Sequence, residues 1–344
     1  MRAMYATRVI VIALAIAACS SSRAAAPETQ ADRAFYFWRS SLLLSPTEKQ
    51  TLVEQHVTKL YVRAFDLGWN PEQQRADVMG ALDVVDVPPV ATVPVVFIRQ
   101  DVFAHLPASE IPALAQRTWD TVVVRTQKLG APTELQLDCD WTDRSRDNYF
   151  AFARELKRIA HVPLSATIRL HQIKYRERTG VPPVDRGALM LYNMGEIAAG
   201  DDQKAIFDAA TTKKYIARLH EYPLPLDVAL PIWSWTLHAR DGAMVDLMQS
   251  TDPDELPTLD FVQATSRPTQ YIVTRTAFLH GVLLREGDTL EIERTTPADT
   301  LAAAALVRPL LSPARRSIVL FDLSDRNLSR YPHDQLAAIF RSLR

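Results

Sequence analysis

The stretch "LQLDCDWT" carries two carboxylates, Asp138 and Asp140, two residues apart. Side chains alternate faces along a strand, so this spacing puts both acids on one side and Leu135, Leu137 and Cys139 on the other. Apolar helix patterns precede and follow the stretch, which makes it an interior strand whose polar face looks into an enclosed space. Acids in such a place can do general acid–base work, and Asp140, nearest the strand end, is assigned as acid or acid/base. Asp138, one layer deeper, is an orienting group or a partner of Arg169 or Arg63. Hydrolysis of a glycosidic bond needs a second carboxyl group, about 5–5.5 Å away for retention and about 6.5–9.5 Å for inversion. Asp66, Asp101, Glu196 and Asp322 each follow a predicted strand and are all open for that role.

Buried carboxylates cost several kcal/mol unless they are paired. Strand parity supplies the partners. In "LSATIRLHQ" the apolar Leu164, Ala166, Ile168 and Leu170 must face covering helices, which turns Ser165, Thr167, Arg169 and His171 inward. The same test puts Leu60, Val62 and Ala64 outward and Tyr61 and Arg63 inward. Trp38, Arg99, Tyr192, Trp233 and Trp235 fall inward or at the rim. Of the six tryptophans, Trp38, Trp69, Trp141, Trp233 and Trp235 sit at or just after strand ends, whereas Trp119 sits on a helix. Packing alone needs tryptophan anywhere along a core. Aromatic faces around a carboxylate-bearing cleft suit a sugar, whose C–H faces stack on rings while its hydroxyls bond to Asp, Arg and His. The alternative is that these rings plug a wide barrel.

The elements that position these residues alternate along the chain. Strand patterns fall at 34–38, 59–65, 91–99, 134–142, 164–172, 187–195, 226–235 and 316–324, mostly separated by helical ones. "SPTEKQTLVEQHV" opens with Ser45, Pro46 and Glu48, a capping box with proline at the first helical position. Such β–α alternation predicts an α/β fold, a single (β/α)8 barrel of the TIM type. Between Trp235 and Arg316 the rhythm breaks, and a β-rich insertion at about 250–300 is expected between strands 7 and 8, with a turn at Glu286-Gly287-Asp288.

Composition narrows the function classes. The chain has 344 residues, 47% hydrophobic, with a formal net charge of -1 and no basic run, which argues against nucleic acid as a partner. Ten glycines and no glycine-rich phosphate loop leave no nucleotide site, and no G-x-S-x-G elbow is present. His161, His171, His220 and His238 lack metal-ligand spacing, so neither a metal nor a cofactor is expected. At the N-terminus, Arg2 and Arg8 precede an apolar run, Val9 to Ala18, too short to span a bilayer: a signal peptide over 1–18. "IAACSSS" resembles a lipobox, which implies lipidation of Cys19, a tether over 19–32 and a barrel domain over 33–344. Ser20 after the cysteine points to the outer membrane, facing the periplasm. Ordinary cleavage after "RAAA", near Ala26, is the alternative. With Cys19 lipidated, Cys139 is a lone thiol on an apolar strand face and is not read as a nucleophile.

"FYFWRSSL", "LQLDCDWT", "ATIRLHQIKY", "GVPPVDRGALMLYNMG" and "YPLPLDVALPIWSW" together resemble a family of exported bacterial proteins defined by a domain of unknown function, from about Ala34 to the C-terminus. The resemblance implies a barrel related to glycoside hydrolases and no particular substrate. Asp138 and Asp140 also resemble part of the D-x-D-x-E strand ending of chitinase-like barrels, where the Glu is the general acid and the preceding Asp orients the acetamido group. Thr142 stands at the Glu position, which argues against that substrate-assisted route. Two readings follow: an envelope-anchored protein that hydrolyses a glycan, or a non-catalytic carbohydrate-binding or scaffold lipoprotein on the same fold.

Overall fold

A computed structural model describes residues 31–192, 205–249 and 251–343. Cys19 with the rest of the leader, and the candidate carboxylate Glu196, lie outside the described residues.

Eight parallel strands close into a barrel: β1 (Asp32–Phe37), β2 (Lys59–Asn70), β3 (Ala91–Ile98), β4 (Leu135–Cys139), β5 (Leu164–Ile168), β6 (Arg186–Met190), β7 (Leu226–Pro231) and β8 (Ser317–Phe321). Neighbours follow chain order, and closure comes from β1 pairing with both β8 and β2, with Asp32 opposite Ser317 and Phe35 opposite Leu60. The longer helices are α1 (Pro46–Glu54), α2 (Gln100–His105), α3 (Ile111–Arg125), α4 (Arg146–Ala160), α5 (Leu170–Lys174), α6 (Ala209–Ile216), α7 (Pro297–Val307) and α8 (His333–Arg341), and single helical turns span Arg176–Thr179 and Asp325–Leu328.

Local chemistry explains the elements. The Ser45 hydroxyl accepts from the Glu48 N–H at 3.0 Å and the Glu48 carboxylate accepts from the Ser45 N–H at 2.9 Å, the expected capping box of α1. In α4, Tyr149, Phe152, Ala153, Leu156 and Ala160 recur at helical spacing and are all buried. They pack on the outward strand faces, which carry Leu60, Val62, Ala64, Leu135, Leu137, Cys139, Leu164, Ala166 and Ile168 in one continuous core. A separate cluster fills the barrel: Ala34, Tyr36, Tyr61, Val93, Val95, Met190, Ala229 and Val319. The parity assigned from sequence therefore holds along β2, β4 and β5. Gly187 of β6 is required by close approach, since a Cβ there would lie 2.7 Å from Ile168 and 2.8 Å from Leu226 side-chain carbons.

Two regions depart from expectation. β2 runs past the barrel to Asn70 and pairs antiparallel with a strand Arg75–Met79, so Trp69 belongs to a protruding hairpin, where it stacks on His105 at 5.6 Å. The insertion is a five-stranded antiparallel sheet that starts at Ser234, immediately after Trp233, and its last strand ends at Arg294. It therefore begins well before residue 250. It has its own core, including Leu256, Phe261, Val273, Leu290 and Ile292. The turn at Glu286-Gly287 is present, with Gly287 at φ +88°, where glycine carries no Cβ penalty.

Candidate functional site

A cleft of about 400 Å³ opens at the C-terminal mouth of the barrel. Its lining comes from strand ends and from the insertion: Trp38 and Arg39 after β1, Phe97 of β3, Asp138 of β4, Arg169 after β5, Met190 and Tyr192 at the end of β6, Trp233, Ser234 and Trp235 after β7, Gln249 of the insertion, and Phe321, Asp322 and Arg326 after β8. Of the residues singled out from sequence, Trp38, Asp138, Arg169, Tyr192, Trp233, Trp235 and Asp322 meet here.

Asp138 sits on the floor, where it accepts from the Thr167 hydroxyl at 2.7 Å and meets Arg169 Nη2 at 3.5 Å. Burial disfavours the Arg169 charge, but the carboxylates of Asp138 and then Asp140 more than offset it, and the guanidinium pKa is raised. The aromatic wall is fixed by edge contacts. The Phe321 ring centre lies 5.1 Å from that of Trp233 and 5.4 Å from that of Trp38, and Tyr192 meets Trp233 edge-on at 4.7 Å. Trp235 is held by the insertion: its Nε1 donates to Glu293 at 2.8 Å, and the other Glu293 oxygen accepts from the Ile206 N–H. Asp322 accepts from the Asn327 side chain, and burial pushes its carboxyl up to about 6, with Arg326 and Arg39 pulling the other way.

Three buried polar atoms on residues lining this cleft have no protein partner: Arg169 Nε, the Tyr192 hydroxyl and the Ser234 hydroxyl. An unmatched buried donor or acceptor costs about 1–3 kcal/mol. Other such atoms, among them the Tyr61 and Tyr149 hydroxyls and His238 Nδ1, lie away from the cleft.

Several expected residues lie elsewhere. β4 ends at Cys139, and Asp140, with its side chain 38% exposed, lies outside the cleft and 3.6 Å from His171 Nε2. His171 is on α5 and not on a strand. Burial lowers its pKa against the opposing pull of Asp140, so that contact joins a neutral imidazole to a carboxylate and is not a strong ion pair. Trp141 turns outward beneath α4, stacks on Tyr149 at 5.2 Å and donates to the Thr179 carbonyl at 2.9 Å; it is core. Arg99 is 56% exposed at the start of α2, 3.8 Å from Asp101, and Phe97 takes the inward place on that strand. Arg63 and Asp66 pair with each other at 2.6 Å beside the rim, with the Arg63 guanidinium 5.7 Å from the Trp38 ring centre. The Cys139 thiol is buried and its pKa raised by that burial, which suits an inert side chain. Phe97 and Phe321 follow the inward parity of Val95 and Val319 and were legible by it. Arg39, Gln249 and Arg326 come from loops and a short helix and carried no periodic signal.

No family model matches the chain, and no curated protein matches it. Among solved structures, the spore cortex-lytic enzyme SleL of Bacillus cereus superposes with a TM-score of 0.54 at 13% identity, over 91% of this chain and 74% of that one. A chitinase from Chromobacterium violaceum gives 0.53 at 13%, over 90% and 99%. An immunomodulatory chitinase from Trichuris suis gives 0.51 at 10%, over 91% and 98%. The chain thus has a glycoside-hydrolase-like barrel fold.

Proposed function

We propose that this protein is a bacterial envelope lipoprotein that binds a glycan in the barrel-mouth cleft. The observation that carries this reading is the conjunction, in one cavity, of Trp38, Trp233 and Trp235 with the charged side chains of Asp138, Arg169, Asp322 and Arg326. Trp38, the least buried of the three rings, offers an apolar face to sugar C–H groups, and the part-buried Arg169, Asp322 and Arg326 side chains offer bonds to hydroxyls. The cortex-lytic and chitinase structures that share the fold support the ligand class. No metal or cofactor enters this account, and nucleic acid has no place in it. Calorimetric titration of the purified protein with cell-wall and environmental oligosaccharides tests it. Binding that weakens on Trp235→Ala supports the reading, and no binding across the panel defeats it.

Binding without chemistry is the reading best supported, because Thr142 stands where chitinase-like barrels place the general acid and Asp140 lies outside the cleft. Hydrolysis is favoured by one observation: Asp322 shares the cleft with Asp138, and its carboxyl, raised to about 6, suits a proton donor near neutral pH. Release of new reducing ends, abolished in Asp322→Asn, would establish it. For the anchor, Cys19→Ala is expected to move the protein from the membrane fraction to the soluble periplasm. A wild-type protein already soluble after cell disruption would remove the anchor from the account.

A further inference from the structure

The polar side of the cleft is not that of a neutral-sugar site. Arg39 is already engaged by Glu48, whose two oxygens accept from its Nη2 at 2.8 Å. Two guanidiniums remain. Arg169 touches Asp138 through one contact at 3.5 Å and leaves Nε without a partner. Arg326 makes one long bond, to the Thr251 carbonyl at 3.4 Å, and no ion pair among the described residues. Beside them the buried Tyr192 hydroxyl, also on the cleft lining, lacks a partner. Arginines normally saturate their forks when they face carboxylates.

Resting on the glycan-binding reading above, we propose that the cleft selects a saccharide bearing a carboxylate, held by Arg326 and Arg169 while the sugar ring lies against the tryptophans. A planar monoanion matches the guanidinium fork. Asp138 and Asp322 in the same cavity repel any anion, and a singly charged one is repelled least. Asp322 can also take up a proton as the anion arrives, which relieves part of that repulsion. The carboxylate can come from a uronic acid ring or from a lactyl ether, as on muramic acid.

Titration calorimetry of the full chain with three disaccharides, containing glucuronate, N-acetylmuramate or only N-acetylglucosamine, separates the possibilities. At least one acidic sugar is expected to bind about tenfold more tightly than the neutral one at low salt, the effect of one charge-assisted contact. Whichever acidic sugar binds more tightly identifies the source. Arg326→Gln should bring the acidic-to-neutral preference close to unity, and Arg326→Lys should keep part of it by retaining charge without the fork. Melting temperatures of both variants check folding. Equal or tighter binding of the neutral sugar, or a preference unchanged in both arginine variants, overturns this inference and leaves the glycan reading standing. Failure of all three sugars to bind overturns this inference, and the wider oligosaccharide panel then decides the glycan reading.

Discussion

Two aspartate–arginine pairs of the barrel, one toward each end, are built differently. Near the closed end, Arg186 of β6 grips Asp227 of β7 with two bonds of 2.7 Å, and the Ser317 N–H completes the carboxylate's shell. At the mouth, Arg169 meets Asp138 through one contact at 3.5 Å, and its Nε faces nothing. Residue types and burial are alike, so the difference lies in saturation. A saturated pair can only hold strands together. An unsaturated pair beside a cavity retains bonding capacity for a ligand, and the surrounding strands pay for that capacity in stability.

The sharpest break of this contrast is Asp227→Asn. It should cost about 3 kcal/mol, the low end for a broken buried pair, because the part-exposed Arg186 guanidinium loses its bidentate partner, and denaturant titration reads it. Glycan affinity per folded molecule should not change.

Next in size is a pH effect at the mouth. Asp322 has a folded pKa of about 6, above its ordinary unfolded value. The native state therefore holds more protons than the unfolded state between pH 4 and 6, and stability falls as pH rises through that window. The loss reaches about 3 kcal/mol by pH 7. Unfolding midpoints measured from pH 4 to 8 should show this slope, and Asp322→Asn should remove it.

Trp233→Ala should then weaken glycan binding by about 2 kcal/mol, roughly thirtyfold, as expected for a buried aromatic anchor. Asp138→Asn is the counterpart of the first test. It keeps the Thr167 bond but removes the main charge that offsets the burial of Arg169, which leaves Asp140 as the nearby carboxylate, so it should cost about 2 kcal/mol of stability. The smallest effect is expected from Glu293→Gln, which touches the site through Trp235 and should weaken binding several-fold, by about 1 kcal/mol.

Strand interiors were legible in the sequence because alternation is physical there. Thr167 and Asp138 point inward, and Leu137 and Ala166 outward, as a period of two requires. The errors gather one to three residues beyond strand ends. Asp140, Arg99 and His171 were placed by extending the alternation after β4, β3 and β5 had stopped, and Trp141 by its position just after a strand end, although its parity with Cys139 is outward. Once the backbone leaves extended geometry, parity carries no information. Trp141 swings under α4, and Arg99 and His171 go to the starts of helices. The cleft residues Arg39, Gln249 and Arg326 depend on loop paths and on the insertion, which no periodic pattern encodes. A change in the loop after β4 was signalled only by Thr142, at the position where the chitinase-like resemblance expects Glu.

The most direct test of the central claim is a crystal structure with a bound oligosaccharide. The account predicts a sugar ring against Trp233 or Trp235, with hydroxyl or carboxylate oxygens within about 3.2 Å of Arg169 Nε and the Tyr192 hydroxyl. A sugar bound elsewhere while those two atoms stay unpaired, or a cleft closed by the tryptophans with no ligand, would contradict it.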